Sequence, residues 1–131
     1  MSAPIDAVIT ALNTIQAVSG KVYHAEALKN ASAPFLFWLQ TAETAERDLS
    51  GYTELCEDGY ELHCVAKNLG TLNEITKAAK AAVLGLQGFS AGGYLYESIE
   101  MSQISPTLRE AEVGFYRKVY SITINYQELE D

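Results

Sequence analysis

Only a few side chains in this sequence are of types that carry chemistry: His24, His63, Cys56, Cys64 and Ser90, among many carboxylates. His63 and Cys64 are neighbours in a stretch of alternating character. In a strand they point to opposite faces and share no ligand sphere locally. The two cysteines are too few for a disulfide framework and match no zinc spacing, so they read as reduced thiols, Cys64 in the core and Cys56 near a loop. Gly88-Phe89-Ser90-Ala91-Gly92 has the letters of a nucleophile elbow, but it leads from a helix into a strand, the reverse of what that elbow requires. The same order disqualifies Gly85, Gly88, Gly92 and Gly93 as a phosphate loop, which must precede a helix N-terminus. The sequence therefore predicts no catalytic, cofactor-binding or metal site. A competing reading is a small α+β enzyme or ligand-binding domain, with a site assembled from distant residues such as His24, His63 and Glu100.

Charge narrows the partners. Seventeen acids stand against nine bases, a net charge of −8. No run of Lys or Arg offers the phosphate neutralisation that nucleic-acid binding needs, and an anionic membrane is disfavoured for the same reason. From Glu43 to Glu61 the acids Glu43, Glu46, Asp48, Glu54, Glu57, Asp58 and Glu61 face a single base, Arg47. With turn signals at Ser50-Gly51 and Asp58-Gly59, the segment reads as a flexible acidic loop or hairpin about 42–59. It is either a solvated surface or, in a ring of subunits, a lining that repels DNA and lets it slide. No signal peptide or bilayer-length apolar run is legible, which predicts cytoplasmic synthesis.

The elements that position these residues follow from periodicity. Ile5, Val8, Ile9, Leu12 and Ile15 mark an amphipathic helix, with Ser2 as cap and Gly20 as stop. Val22 and Tyr23 start a short strand. Pro34 opens an apolar strand, Phe35 to Gln40, hydrophobic on both faces. Tyr60 to Lys67 alternates as a strand should. Thr71-Leu72-Asn73-Glu74 has the letters of a capping box, opening a helix with Leu72, Ile75, Ala79, Ala82 and Leu86 on one stripe. Strands follow at Tyr94–Met101 and about Gly114–Tyr126. The expected fold is one α+β domain over 1–131 of order α-β-β-α-β-β. It is a two-layer sandwich, a mainly antiparallel sheet of about four strands with two helices on one face, and a loose tail at 127–131. Apolar sheet surface exceeds what two helices cover, so Phe35, Phe37, Trp38, Phe115 and Val119 are expected at a subunit interface.

From Ile5 to Tyr126 the order of elements resembles the tail completion or tail terminator proteins of tailed bacteriophages. The residues carrying the likeness are Gly20-Lys21-Val22-Tyr23, Ala33-Pro34-Phe35-Leu36-Phe37, Glu61-Leu62-His63-Cys64-Val65-Ala66, and Glu112-Val113-Gly114-Phe115-Tyr116-Arg117 running into Ile122-Thr123-Ile124-Asn125-Tyr126. His24-Ala25-Glu26-Ala27 stands where family members often carry further proline. The resemblance implies a non-catalytic virion protein, assembled in the host cytoplasm, whose homo-hexameric ring caps the tail tube. Its partners would be the tail tube protein and the head connector proteins, with DNA passing but not held. A different neck or head–tail connector protein is the alternative within the same class.

Overall fold

The computed structural model describes residues 4–18, 21–24, 33–47, 54–110 and 114–129. Helix α1 (Ile5–Leu12) runs into a 3₁₀ turn, Gln16–Val18, and the short strand β1 (Val22–His24). β2 (Phe35–Arg47) and β3 (Glu54–Ala66) pair from Phe35↔Val65 to Arg47↔Glu54. Helix α2 (Leu69–Leu84) leads to β4 (Ser90–Ala91), β5 (Tyr94–Gln103), β6 (Leu108–Glu110) and β7 (Phe115–Glu128). The expected cap Ser2 and stop Gly20, and the turn Ser50-Gly51, lie outside the described residues.

The sheet order is β1-β2-β3-β7-β5-β4, with β6 also paired to β7. This corrects the expected architecture. Among the described residues the sheet has seven strands, curls into a half-barrel and is mixed, because β1 runs parallel to β2; it is not a four-stranded layer backed by helices. Three of the extra strands are two or three residues long, too short for a periodicity. Register shifts between Gln40 and Ala42 and between Tyr96 and Ser98 mark irregularities that bend long strands and increase their twist. β4 and β5 turn at Gly92 and Gly93, whose φ of 60° and 89° fit a tight hairpin turn that other residues resist.

The main core joins both helices to alternate strand residues, with Leu12, Leu36, Leu62, Leu72, Ile75 and Ile122 among its buried members. The capping box expected at Thr71 is not the start of α2. Asn68 is, in extended backbone, its Oδ1 accepting from the Thr71 N–H at 2.8 Å, one turn earlier than the Thr-Glu pair suggests. Tyr96 ties β5 to the start of α1 by donating its hydroxyl to the Pro4 carbonyl at 2.6 Å. No helix among the described residues is long and apolar enough to cross a membrane.

Candidate functional site

Strand alternation sorts β2, β3, β7 and β5 into two faces. The first face belongs to the main core. The second carries Phe35, Phe37 and Leu39 from β2, Glu57, Glu61, His63 and Val65 from β3, and the odd-numbered residues of β7. β5 adds Ser98, Glu100 and Ser102.

One half of this face is aromatic. The Phe37 ring stacks on the His63 imidazole with centroids 4.2 Å apart, and Tyr23 and Phe35 extend the row. Phe35, Phe37 and Val65 form a buried cluster within the single chain, Val119 is buried too, and Leu39 and Phe115 are half-buried. Next to them Leu108 pairs with Arg117 and the Ile104 N–H donates to the Val119 carbonyl. Both Ile104 and Leu108 are exposed, at 53% and 37%. The other half is small, polar and acidic. Glu57 lies beside Asn125, Glu100 beside Thr123 and Glu61 beside Ser121. Asn125 Nδ2 donates to Ser98 Oγ at 3.1 Å, and Glu61 Oε1 sits 3.1 Å from His63 Nε2.

Of the residues expected at a subunit interface, Phe35, Phe37, Phe115 and Val119 share this face. Trp38 does not: it packs toward the main core, edge-on to His24 at 4.7 Å and to Tyr60 at 6.0 Å. Ile104 and Leu108, which sequence reasoning passed over, complete the apolar edge. Their proximity to Pro106 hid them, because that segment has no strand periodicity.

The expected lumen acids separate as well. Glu43 and Glu46 fall on β2 and Glu54 on β3, with their side chains outside the described set, and Asp48 lies outside it altogether. Glu57 is exposed. Asp58, grouped on sequence with the solvent-facing acids, is 3% exposed. Its Oδ2 accepts from the Tyr60 hydroxyl at 2.8 Å and its Oδ1 from the Tyr126 hydroxyl at 3.3 Å. The signal was in the alternation: Asp58 has the parity of Tyr60, Leu62 and Cys64, all core residues.

The residues of the competing enzyme reading do not converge. His24 packs on Trp38, His63 lies on the second face, and Glu100 is exposed on β5 with β7 between it and β3. Among the described residues no group of His, Cys, Asp and Glu is arranged to hold a metal. A groove of about 420 Å³ runs along α1, lined by Asp6, Thr10, Ala11, Leu86, Ala91 and Tyr96. Its surface is almost wholly apolar.

Burial sets the titration of the core. It pushes the Cys64 thiol up to about 12 despite nearby Lys118, and Tyr96 up to about 12 with smaller help from Tyr94 and Asp6. Tyr126 is raised further by burial and by the Asp58 carboxylate. Groups that hold protons more tightly when folded add stability that is complete below their unfolded values, roughly 8.5 for Cys and 10 for Tyr, and is lost as pH climbs toward the folded ones. The urea midpoint is therefore expected to fall steadily above about pH 9, and the double variant Tyr96→Phe/Tyr126→Phe to fall less steeply. A midpoint level up to pH 11, at the onset of the folded-state titrations, would contradict this.

No family model and no curated protein matches the chain. Among solved structures, a chain of the virion of a native gene transfer agent particle superposes with a TM-score of 0.63 at 14% identity. The match covers 95% of each chain. The two share a fold over nearly their whole length.

Proposed function

We propose that this chain is a structural protein of a phage-like virion, and specifically a tail terminator whose homo-hexameric ring caps the tail tube and meets the head connector. The observation that carries the reading is the fold it has in common with a gene transfer agent virion chain over 95% of both. The order of sequence elements points the same way. The second face of the sheet supplies a physical reason for assembly, since the exposed Ile104 and Leu108 continue an aromatic surface that neither described helix covers. In the ring, Phe35, Phe37 and Val119 form the buried floor of the subunit interface and Phe115 its half-buried rim. Trp38 buttresses that strand from the first face. Acids of the β2–β3 hairpin line the passage, where like charge lets DNA pass without adhering.

The test is to mix purified protein with uncapped tail tubes and follow binding at tube ends by electron microscopy. Light scattering supplies the mass of the free protein. Density at one end of each tube and a mass near six times 14.3 kDa are expected. Failure to bind tube ends under conditions where the tubes still join heads through another factor would remove the terminator assignment.

A further inference from the structure

The chain is acidic overall, yet its cations are not spread evenly. Lys77 and Lys80 are exposed on α2, one turn and two turns beyond Asn73. Asn73 Oδ1 accepts from Lys118 Nζ at 2.8 Å, which brings a β7 cation onto the same stripe. Lys67 stands exposed just before the Asn68 cap, and the strand residue preceding it, Ala66, is paired with Tyr116. The guanidinium of Arg109 lies 5.9 Å above that Tyr116 ring. Residues from α2, β6, β7 and the turn between β3 and α2 thus form one basic flank, with Glu74 the described acid among them. Among the described residues, none of Lys67, Lys77, Lys80 or Arg109 is engaged in an ion pair. Leu69, at the start of α2, adds a side chain 48% exposed in the midst of these charges.

The polar half of the second sheet face is the reverse image. Glu57, Glu61 and Glu100 sit there among Ser98, Ser121, Thr123 and Asn125, and the described residues of that half include no Lys or Arg. The apolar edge of Ile104, Leu108 and Phe115 adjoins it.

We propose that the α2 flank of one copy docks on the second sheet face of the next, with Lys77 and Lys80 against Glu57 and Glu100 and Leu69 toward the apolar edge. This inference rests on the self-assembling reading above and names the two surfaces that would make it. The occupant is a second copy because both complementary surfaces are on this one chain. Two different patches meeting head to tail give a heterologous contact, the kind that closes into rings or runs on into filaments and cannot make an isologous dimer. Opposite charge speeds the encounter and sets the register, and like charge on the wrong pairing opposes it.

The experiment is light scattering after size exclusion at low salt, up to millimolar protein, with paired charge reversals. Lys77→Glu/Lys80→Glu and Glu57→Lys/Glu100→Lys each break one surface. All four residues are exposed, so both variants are expected to keep the wild-type circular dichroism and urea midpoint. Each alone is expected to lose self-association by more than about tenfold. Mixed in equal amounts, each variant meets opposite charge on both surfaces of the other, so assembly is expected to return with the two chains alternating. A chain carrying all four reversals is expected to assemble again. Wild-type assembly that neither reversal weakens would overturn the proposal, and so would a wild-type chain that stays monomeric throughout the range. Binding to tail-tube ends, measured separately, reports on the terminator reading whichever way the charge reversals fall.

Discussion

Replacing Asp58 with alanine is expected to destabilise the chain by about 2–4 kcal/mol, because it removes the shared carboxylate acceptor of two buried phenol donors at once. The Asp58 carboxylate is 3% exposed and receives the hydroxyls of Tyr60 and Tyr126, both of which are themselves buried. A hydrogen bond to an ionised acceptor contributes roughly 1.5–3 kcal/mol, and a donor left without one inside the protein costs about 1–3 kcal/mol. Asp58→Asn keeps one acceptor oxygen and should cost about half as much. The informative variant removes the whole network. Asp58→Leu/Tyr60→Phe/Tyr126→Phe removes the carboxylate and both phenol hydroxyls together and is expected to return to within about 1 kcal/mol of wild type, since apolar replacement of a complete buried polar group is often neutral. Urea unfolding with an unchanged slope measures each step. If the triple variant were as unstable as Asp58→Ala, the penalty would lie in lost shape rather than in stranded donors. The location gives the network a structural role: Asp58 is paired with Glu43 on β2 and Ile124 on β7, where the acidic hairpin joins the body of the sheet.

That carboxylate also shows where sequence reasoning runs out. The long elements with a strong period were legible: α1 from its Ile5–Val8–Leu12 stripe, α2 from Leu72, Ile75 and Ala79, and the cores of β2, β3, β5 and β7. The arms of the hairpin were legible only as one of two alternatives, a flexible acidic loop or a hairpin about 42–59. Residues 41–47 and 54–59 are rich in Glu, Asp and Thr with a glycine, a poor prior for strand, yet they pair, because β3 lies between β2 and β7 and each arm has a partner to complete its ladder. A segment whose structure is decided by its neighbours leaves little local trace. The curl was hidden for a related reason. Two register shifts bend the long strands without altering hydrophobic periodicity over a readable window. The basic flank was hidden more completely, since Lys67, Lys77, Arg109 and Lys118 are scattered in the chain and only the pairing of β3, β6 and β7 beside α2 gathers them. The second-face aromatics were visible as excess apolar strand surface. Strand alternation already sets Trp38 on the face opposite Phe35 and Phe37; what sequence could not tell is that Phe35 and Phe37 already pack on each other within the chain.

A comparison of two leucines separates what holds the fold from what the surface is for. Leu62→Ala is expected to cost about 2–5 kcal/mol. The side chain is fully buried on β3, opposite Trp38 on one neighbouring strand and Tyr120 on the other. Strands paired on both sides hold the backbone in place, so the site collapses little and the cavity term adds to the lost transfer energy. For a 131-residue chain, 1 kcal/mol corresponds to roughly 3–6 °C in Tm, so the loss is expected to exceed about 6 °C. Leu69→Ala removes the same atoms from a residue 48% exposed at the first turn of α2 and should change stability by no more than about 0.5 kcal/mol. Its effect is expected in assembly instead, as a lower mass at a given concentration, because Leu69 is the apolar member of the basic flank. The two readouts therefore run in opposite directions: Leu62→Ala shifts the urea midpoint first and assembly only through the unfolded fraction, while Leu69→Ala shifts assembly at constant midpoint. Equal loss of stability in both would mean that Leu69 belongs to the core and that the flank has no apolar anchor to offer a second copy.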